Sequence, residues 1–186
     1  MSQVDAIVIE AIDFAAQRHS GQTRKGKKQS PYINHPIKVM NLLVAHHETG
    51  ADLLMASVLH DVIEDTAKTE REIGELSDIL RKKFGRRVLD IVLEVSDNKA
   101  LPFQERKRLQ VVNTPRLSEQ ARKIKIADKT CNLIDMMEDP PENWSNERKL
   151  QYVEWAGQVI DGARGVNPGL EQEFDATRHK ALRRFA

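Results

Sequence analysis

Apolar residues recur through most of this chain at three- and four-residue spacing, the period of an amphipathic helix, and no segment alternates like a strand. Val4, Ile7, Val8, Ala11, Ile12 and Ala15 predict a first helix over residues 4–19 with its apolar face inward. A polar loop over 20–34 follows. Pro36 suits the first turn of a second helix, because it lacks the donor that would be unpaired there anyway; Ile37, Met40, Leu43 and Val44 form its buried side. His35 then stands at the entrance of that helix. Leu53, Leu54, Val58, Leu59, Val62 and Ile63 predict a largely buried third helix over 51–65. Thr69 and Glu72 have the spacing of a capping box, and Ile73, Leu76, Leu80 and Phe84 carry a fourth helix to Gly85. A fifth spans 86–95. The stretch SDNKALPFQERKR reads as a loop leading into a short basic helix. Ser118 caps the next, where Ala121, Ile124, Ala127, Cys131, Ile134 and Met137 keep one stripe to Glu138, and two last helices fall at 146–163 and 168–185. The expected fold is all-α, a single compact helical domain over residues 1–186.

Charge narrows the partners. With 29 Lys and Arg against 28 Asp and Glu, the chain lacks the basic excess of a general nucleic-acid binder. One cysteine, Cys131, excludes an intramolecular disulfide and a cysteine-based zinc cluster and fits a reducing compartment. No apolar run approaches the ~20 residues of a membrane span, and the N-terminal segment lacks a secretory signal, so a cytoplasmic protein with no membrane partner is expected. The oligomeric state is left open.

The candidate chemistry lies where polar residues break the apolar pattern. LLMASVLHDVIEDT places His60, Asp61, Glu64 and Asp65 in a buried helix, and at ~100° per residue they fall within an arc of about 140°. Burying these carboxylates together is costly unless a cation neutralises them. Asp128 makes a second, distant interruption in KIKIADKTCNLIDM. A histidine-aspartate dipeptide alone is a weak motif, but the two interruptions together point to a divalent metal. Mixed imidazole and carboxylate ligands suit a hard to borderline ion such as Mn²⁺ and leave zinc and iron open.

With His35, His60-Asp61 and Asp128 in that order, the sequence resembles the HD superfamily of metal-dependent phosphohydrolases. HSGQTRKGKKQSPYINHP, LHDVIEDT, VSDNKALPFQERKRLQ, KIADKTCNL and NWSNERKLQYVEWAGQV narrow the resemblance to the stand-alone metazoan-type SpoT homologs, small alarmone hydrolases similar to the hydrolase half of the bacterial Rel/SpoT enzymes. The resemblance implies an HD-type helical bundle holding one Mn²⁺ through His35, His60, Asp61 and Asp128, with Glu64 and Asp65 serving the catalytic water. It implies the substrate (p)ppGpp, cleaved to GDP or GTP and pyrophosphate. It also places Arg24 and Lys25 near the base, and Lys99, Asn132, Arg148 and Tyr152 along the nucleotide pocket. Asn98, in place of a common acidic residue, and Thr130-Cys131, in place of bulkier ones, depart from the family pattern; they leave the metal residues untouched and bear on substrate preference. The length has no room for a synthetase segment, so a hydrolase alone is expected. Two other readings are an HD phosphohydrolase acting on another nucleotide, such as the 2′-phosphate of NADPH, and a non-catalytic nucleotide sensor. Retention of both Glu64 and Asp65 argues against the sensor.

Overall fold

The computed structural model describes residues 3–186, with side chains from residue 6 onward, so the expected contribution of Val4 lies outside the described side chains. Ten α-helices and one 3-10 turn follow in order among these residues: α1 (Gln3–Arg18), α2 (Asn34–Ala45), α3 (Ala51–Leu59), α4 (Val62–Thr66), α5 (Glu70–Phe84), α6 (Arg86–Val95), α7 (Phe103–Asn113), η1 (Thr114–Arg116), α8 (Glu119–Glu138), α9 (Asn146–Asp161) and α10 (Pro168–Phe185). The described residues contain no strand, only two isolated bridges, Thr23 with Pro31 and Gly26 with Pro141. The fold is all-α.

Several boundaries follow from local chemistry. The capping box forms: Thr69 Oγ1 accepts from the Glu72 amide at 3.2 Å, and Glu72 Oε2 accepts from the Thr69 amide at 3.1 Å. Ser118 Oγ accepts from the Ala121 amide and starts α8. Gly85, at φ 93°, separates α5 from α6 in a backbone conformation that a side chain would oppose.

One expected element is divided. The helix over 51–65 breaks at His60 and Asp61 into α3 and α4. The carbonyl of Ser57, which a continuous helix would give to the Asp61 amide, accepts the His60 ring Nδ1 at 2.7 Å. Asp61 then starts α4, and its own carbonyl accepts from the Asp65 amide at 2.8 Å. The backbone at His60 and Asp61 nevertheless stays in the right-handed helical region across that break.

Helix α8 forms the axis of the bundle and packs against α10, α2, α9 and α6. Its residues 124–131 are all buried, so it is covered on every side instead of presenting a single stripe, while Ile134 and Met137 are only half-buried. Burying a whole helix surface in this way encloses Asp128 and Lys129 along with its apolar residues. Helices α2 and α3 pack against one another, with α2 also against α8, which brings three distant segments to one place.

Candidate active site

His35 comes from the first turn of α2, His60 and Asp61 from the break between α3 and α4, and Asp128 from the middle of α8. His35 Nε2 lies 3.1 Å from Asp128 Oδ1; His60 Nε2 lies 3.0 Å from Asp61 Oδ2 and 3.9 Å from Asp128 Oδ1. Ligand atoms of His35, His60 and Asp128 all fall within 4.8 Å of one another. The His60 ring Nδ1 donates to Ser57, which leaves Nε2 as the free lone pair of the neutral ring. That Nε2 is buried with no hydrogen-bond partner, since the Asp61 oxygen is near but misaligned. A lone pair facing carboxylate oxygens is repulsive until a proton or a cation lies between them. The donor set fits a divalent ion.

The electrostatics agree with that fit. Burial disfavours the charged form of His60, but Asp61 overrides it and pushes the ring up to about 9. His35 is lowered, chiefly because burial outweighs the attraction of Asp128. Burial opposes ionisation of Asp61 and Asp128, yet both are held below the ordinary carboxylate range, Asp61 by His60 and Asp128 by Lys129 and the two histidines. A second layer of contacts orients these groups. Lys129 Nζ donates to Asp128 Oδ2 at 2.8 Å, Asn132 Nδ2 donates to Asp128 Oδ1 at 2.6 Å, and the Tyr32 hydroxyl donates to Asp61 Oδ2 at 2.7 Å. Tyr32 is itself held between the His19 ring, 4.8 Å away, and the Arg24 guanidinium, 5.5 Å away.

Glu64 and Asp65 project from α4 beside this cluster. Glu64 Oε2 accepts from the Asp97 amide at 2.9 Å, with Lys99 Nζ and Arg106 Nη1 at 3.8 and 4.0 Å from Oε1. Burial, reinforced by Asp61, pushes Glu64 up to about 7. Asp65 pairs with Lys99. A carboxyl group that changes protonation near neutrality is suited to take a proton from water.

Above these groups lies a cavity of about 740 Å³. Arg24, Lys25, Lys99, Asn132 and Tyr152, all singled out from the sequence, line it. Arg148 is not among the lining residues; its guanidinium lies 4.5 Å over the ring of Trp144, which is. Arg24 donates to Asn132 Oδ1 at 2.7 Å and pairs with Asp135 at 3.2 Å. A smaller pocket of about 140 Å³ reaches His60, Asp128, Lys125 and Lys129 below the main cavity. Sequence reasoning passed over Tyr32, Lys129, Asp135 and Arg106. Lys129 carried a usable signal, as a second charge beside Asp128 in an apolar helix; Tyr32 lay in a recognised segment without a role, and no periodicity marks Arg106.

The HD domain family matches residues 11–153 of the chain. Two similar proteins, from Xenopus tropicalis and Homo sapiens, are both named guanosine-3′,5′-bis(diphosphate) 3′-pyrophosphohydrolase MESH1. The first is 44% identical over 94% of this chain and 94% of its own length; the second is 45% identical over 92% and 93%. A solved structure, described as a metazoan ortholog of SpoT that hydrolyzes ppGpp and plays a role in starvation responses, superposes with a TM-score of 0.87. It is 41% identical, and the match covers 95% of this chain and 97% of that one.

Proposed function

The chain belongs to the HD domain family, and on that premise we propose that it is a metal-dependent guanosine-3′,5′-bis(diphosphate) 3′-pyrophosphohydrolase acting as one domain over residues 1–186. It hydrolyses (p)ppGpp to GDP or GTP and pyrophosphate. The observation that carries the reading is the convergence of His35, His60 and Asp128 on one point, beside a Glu64 pushed up to about 7 and under a cavity of nucleotide size.

His35, His60, Asp61 and Asp128 are assigned as ligands of one Mn²⁺. The ion supplies Lewis acidity at the phosphoryl group and makes water acidic enough to react near neutral pH. Glu64 orients the attacking water and takes its proton, and the Asp97 amide fixes the orientation of its carboxylate. Attack at the phosphorus carried by the ribose 3′-oxygen breaks that oxygen's bond to phosphorus and releases pyrophosphate. Asp65, paired with Lys99, supports the water or returns a proton to the departing oxygen. Lys99 also places positive charge where substrate phosphates gather, while Arg24 and Lys25, with Asn132 and Tyr152, hold the nucleoside end. Arg148 acts through Trp144, whose ring it covers.

No described helix is long and apolar enough to cross a membrane. The single, buried Cys131 supports assignment to the reducing cytoplasm. The deciding experiment incubates metal-stripped protein with ppGpp, with and without Mn²⁺, and resolves products by chromatography. Pyrophosphate and GDP are expected only with metal. Absence of cleavage with Mn²⁺ and with every other divalent ion tried removes the proposal.

A further inference from the structure

We infer that Arg106 is a substrate-binding residue that grips the outer phosphate of the 3′-pyrophosphate, an assignment that rests on the pyrophosphohydrolase reading above. Arg106 lies on α7, none of whose residues is buried as a whole. Its Nε is nevertheless shielded from solvent and has no hydrogen-bond partner, and the side chain lines the main cavity. A guanidinium has five donors, and leaving a shielded one unmade is unfavourable unless an acceptor arrives.

Three other cations of the site already have partners. Arg24 is held by Asn132 and Asp135, Lys99 by Asp65, and Lys129 by Asp128. The acidic neighbour of Arg106 is Glu64, with Nη1 4.0 Å from Oε1, beyond hydrogen-bond reach.

The position of the guanidinium is determined by its surroundings. The Phe103 ring lies 5.7 Å from Arg106 Cζ and also lines the cavity. Helix α7 is anchored just after Arg106: Trp155 Nε1 donates to the Lys107 carbonyl at 3.1 Å, and Gln110 Nε2 donates to Asp97 Oδ2 at 2.7 Å. Through the Asp97 amide, this second contact couples α7 to Glu64. The phosphorus under attack must lie where the water of Glu64 reaches it. The other phosphate of the leaving pyrophosphate then extends past Glu64 toward an uncommitted, forked donor suited to two of its oxygens.

The test uses metal-loaded protein and two probes, inorganic pyrophosphate and inorganic phosphate, measured by calorimetry and as inhibitors of ppGpp hydrolysis. Arg106→Gln should weaken pyrophosphate binding by about 10- to 100-fold, the loss expected for charge-assisted hydrogen bonds, and change phosphate binding by less than about threefold. Arg106→Lys should recover part of the loss, because it restores charge without the fork. Metal content should equal that of the wild type in both variants. Unchanged pyrophosphate affinity overturns the inference, and so does an equal loss for both probes, which would make Arg106 a support of the fold or the metal. Failure of the underlying reading shows separately, as a wild-type protein that does not cleave ppGpp although its affinities for the two probes are measurable.

Discussion

At the scale of single residues, the proton chemistry is assigned to Glu64 as a proposal, and its environment sets the expected pH response. A base must be ionised to accept a proton. Because burial and then Asp61 push Glu64 up to about 7, kcat/KM should fall as pH drops through that region. A cation bound beside Asp61 favours the ionised form and moves this acid limb downward. Glu64→Gln should cost roughly 10²-fold or more in turnover and remove the limb while retaining Mn²⁺. Normal kcat in that variant would exclude Glu64 as the base, and loss of metal would make it a ligand or an essential support. Asp65→Asn should behave similarly, with a smaller loss. His35→Ala, His60→Ala, Asp61→Ala and Asp128→Ala should each lose metal and activity together, as metal analysis can check. Any of the four that keeps stoichiometric Mn²⁺ and normal turnover leaves the ligand set. Arg24→Ala should retain metal and narrow the preference for guanine over adenine nucleotides; an unchanged preference would remove Arg24 from base recognition. That His60 and Asp128 are buried among apolar residues was legible in the sequence, because each interrupts an apolar period. The roles proposed for Tyr32 and Arg106 were not, because they rest on what the fold places opposite them, Asp61 in one case and an open cavity in the other.

Among the elements, caps and apolar periods located most helices within a residue or two, since both signals are local. The break at His60 escaped because a ring nitrogen bonding a backbone carbonyl leaves no mark on the hydrophobic pattern. The loop before α2 was legible as polar, but its anchorage was not. Gly26 pairs with Pro141 across an isolated bridge, and the Lys28 amide donates to Asp139 Oδ2 at 3.1 Å. A Cβ at Gly26 would lie 2.0 Å from Asp139 Oδ2 and 2.6 Å from the Asp139 carbonyl oxygen. The second of these atoms is backbone and cannot swing aside. Gly26→Ala should therefore displace the segment carrying Arg24 and Lys25, lowering kcat/KM by roughly 10- to 100-fold, the scale for misplaced positioning groups. Metal content should not change. Wild-type kinetics in this variant would show that the clasp does not position the two basic residues.

For the molecule as a whole, the proposed ligands join segments that the chain itself keeps far apart: α2, the α3–α4 break, and α8 at the centre of the bundle. The all-α class could be read from periodicity alone, whereas the central place of α8 could not, because nothing local distinguishes a helix covered on one side from one covered on all sides when Lys125, Asp128 and Lys129 are among its buried residues. An ion that binds this assembled cluster and not the unfolded chain must stabilise the fold by mass action, by about 2.7 kcal/mol at a free concentration a hundredfold above its dissociation constant. In a chain of this length, that corresponds to a rise of roughly 5–11 °C in Tm. Thermal unfolding of metal-stripped protein should show this rise on addition of Mn²⁺, and none should appear on addition to Asp128→Ala. The rise should shrink as pH falls below about 9, because a proton on His60 competes with the ion for Nε2. A Tm indifferent to metal at saturating concentration, or a shift that survives in Asp128→Ala, would mean that the ion does not bridge these three segments.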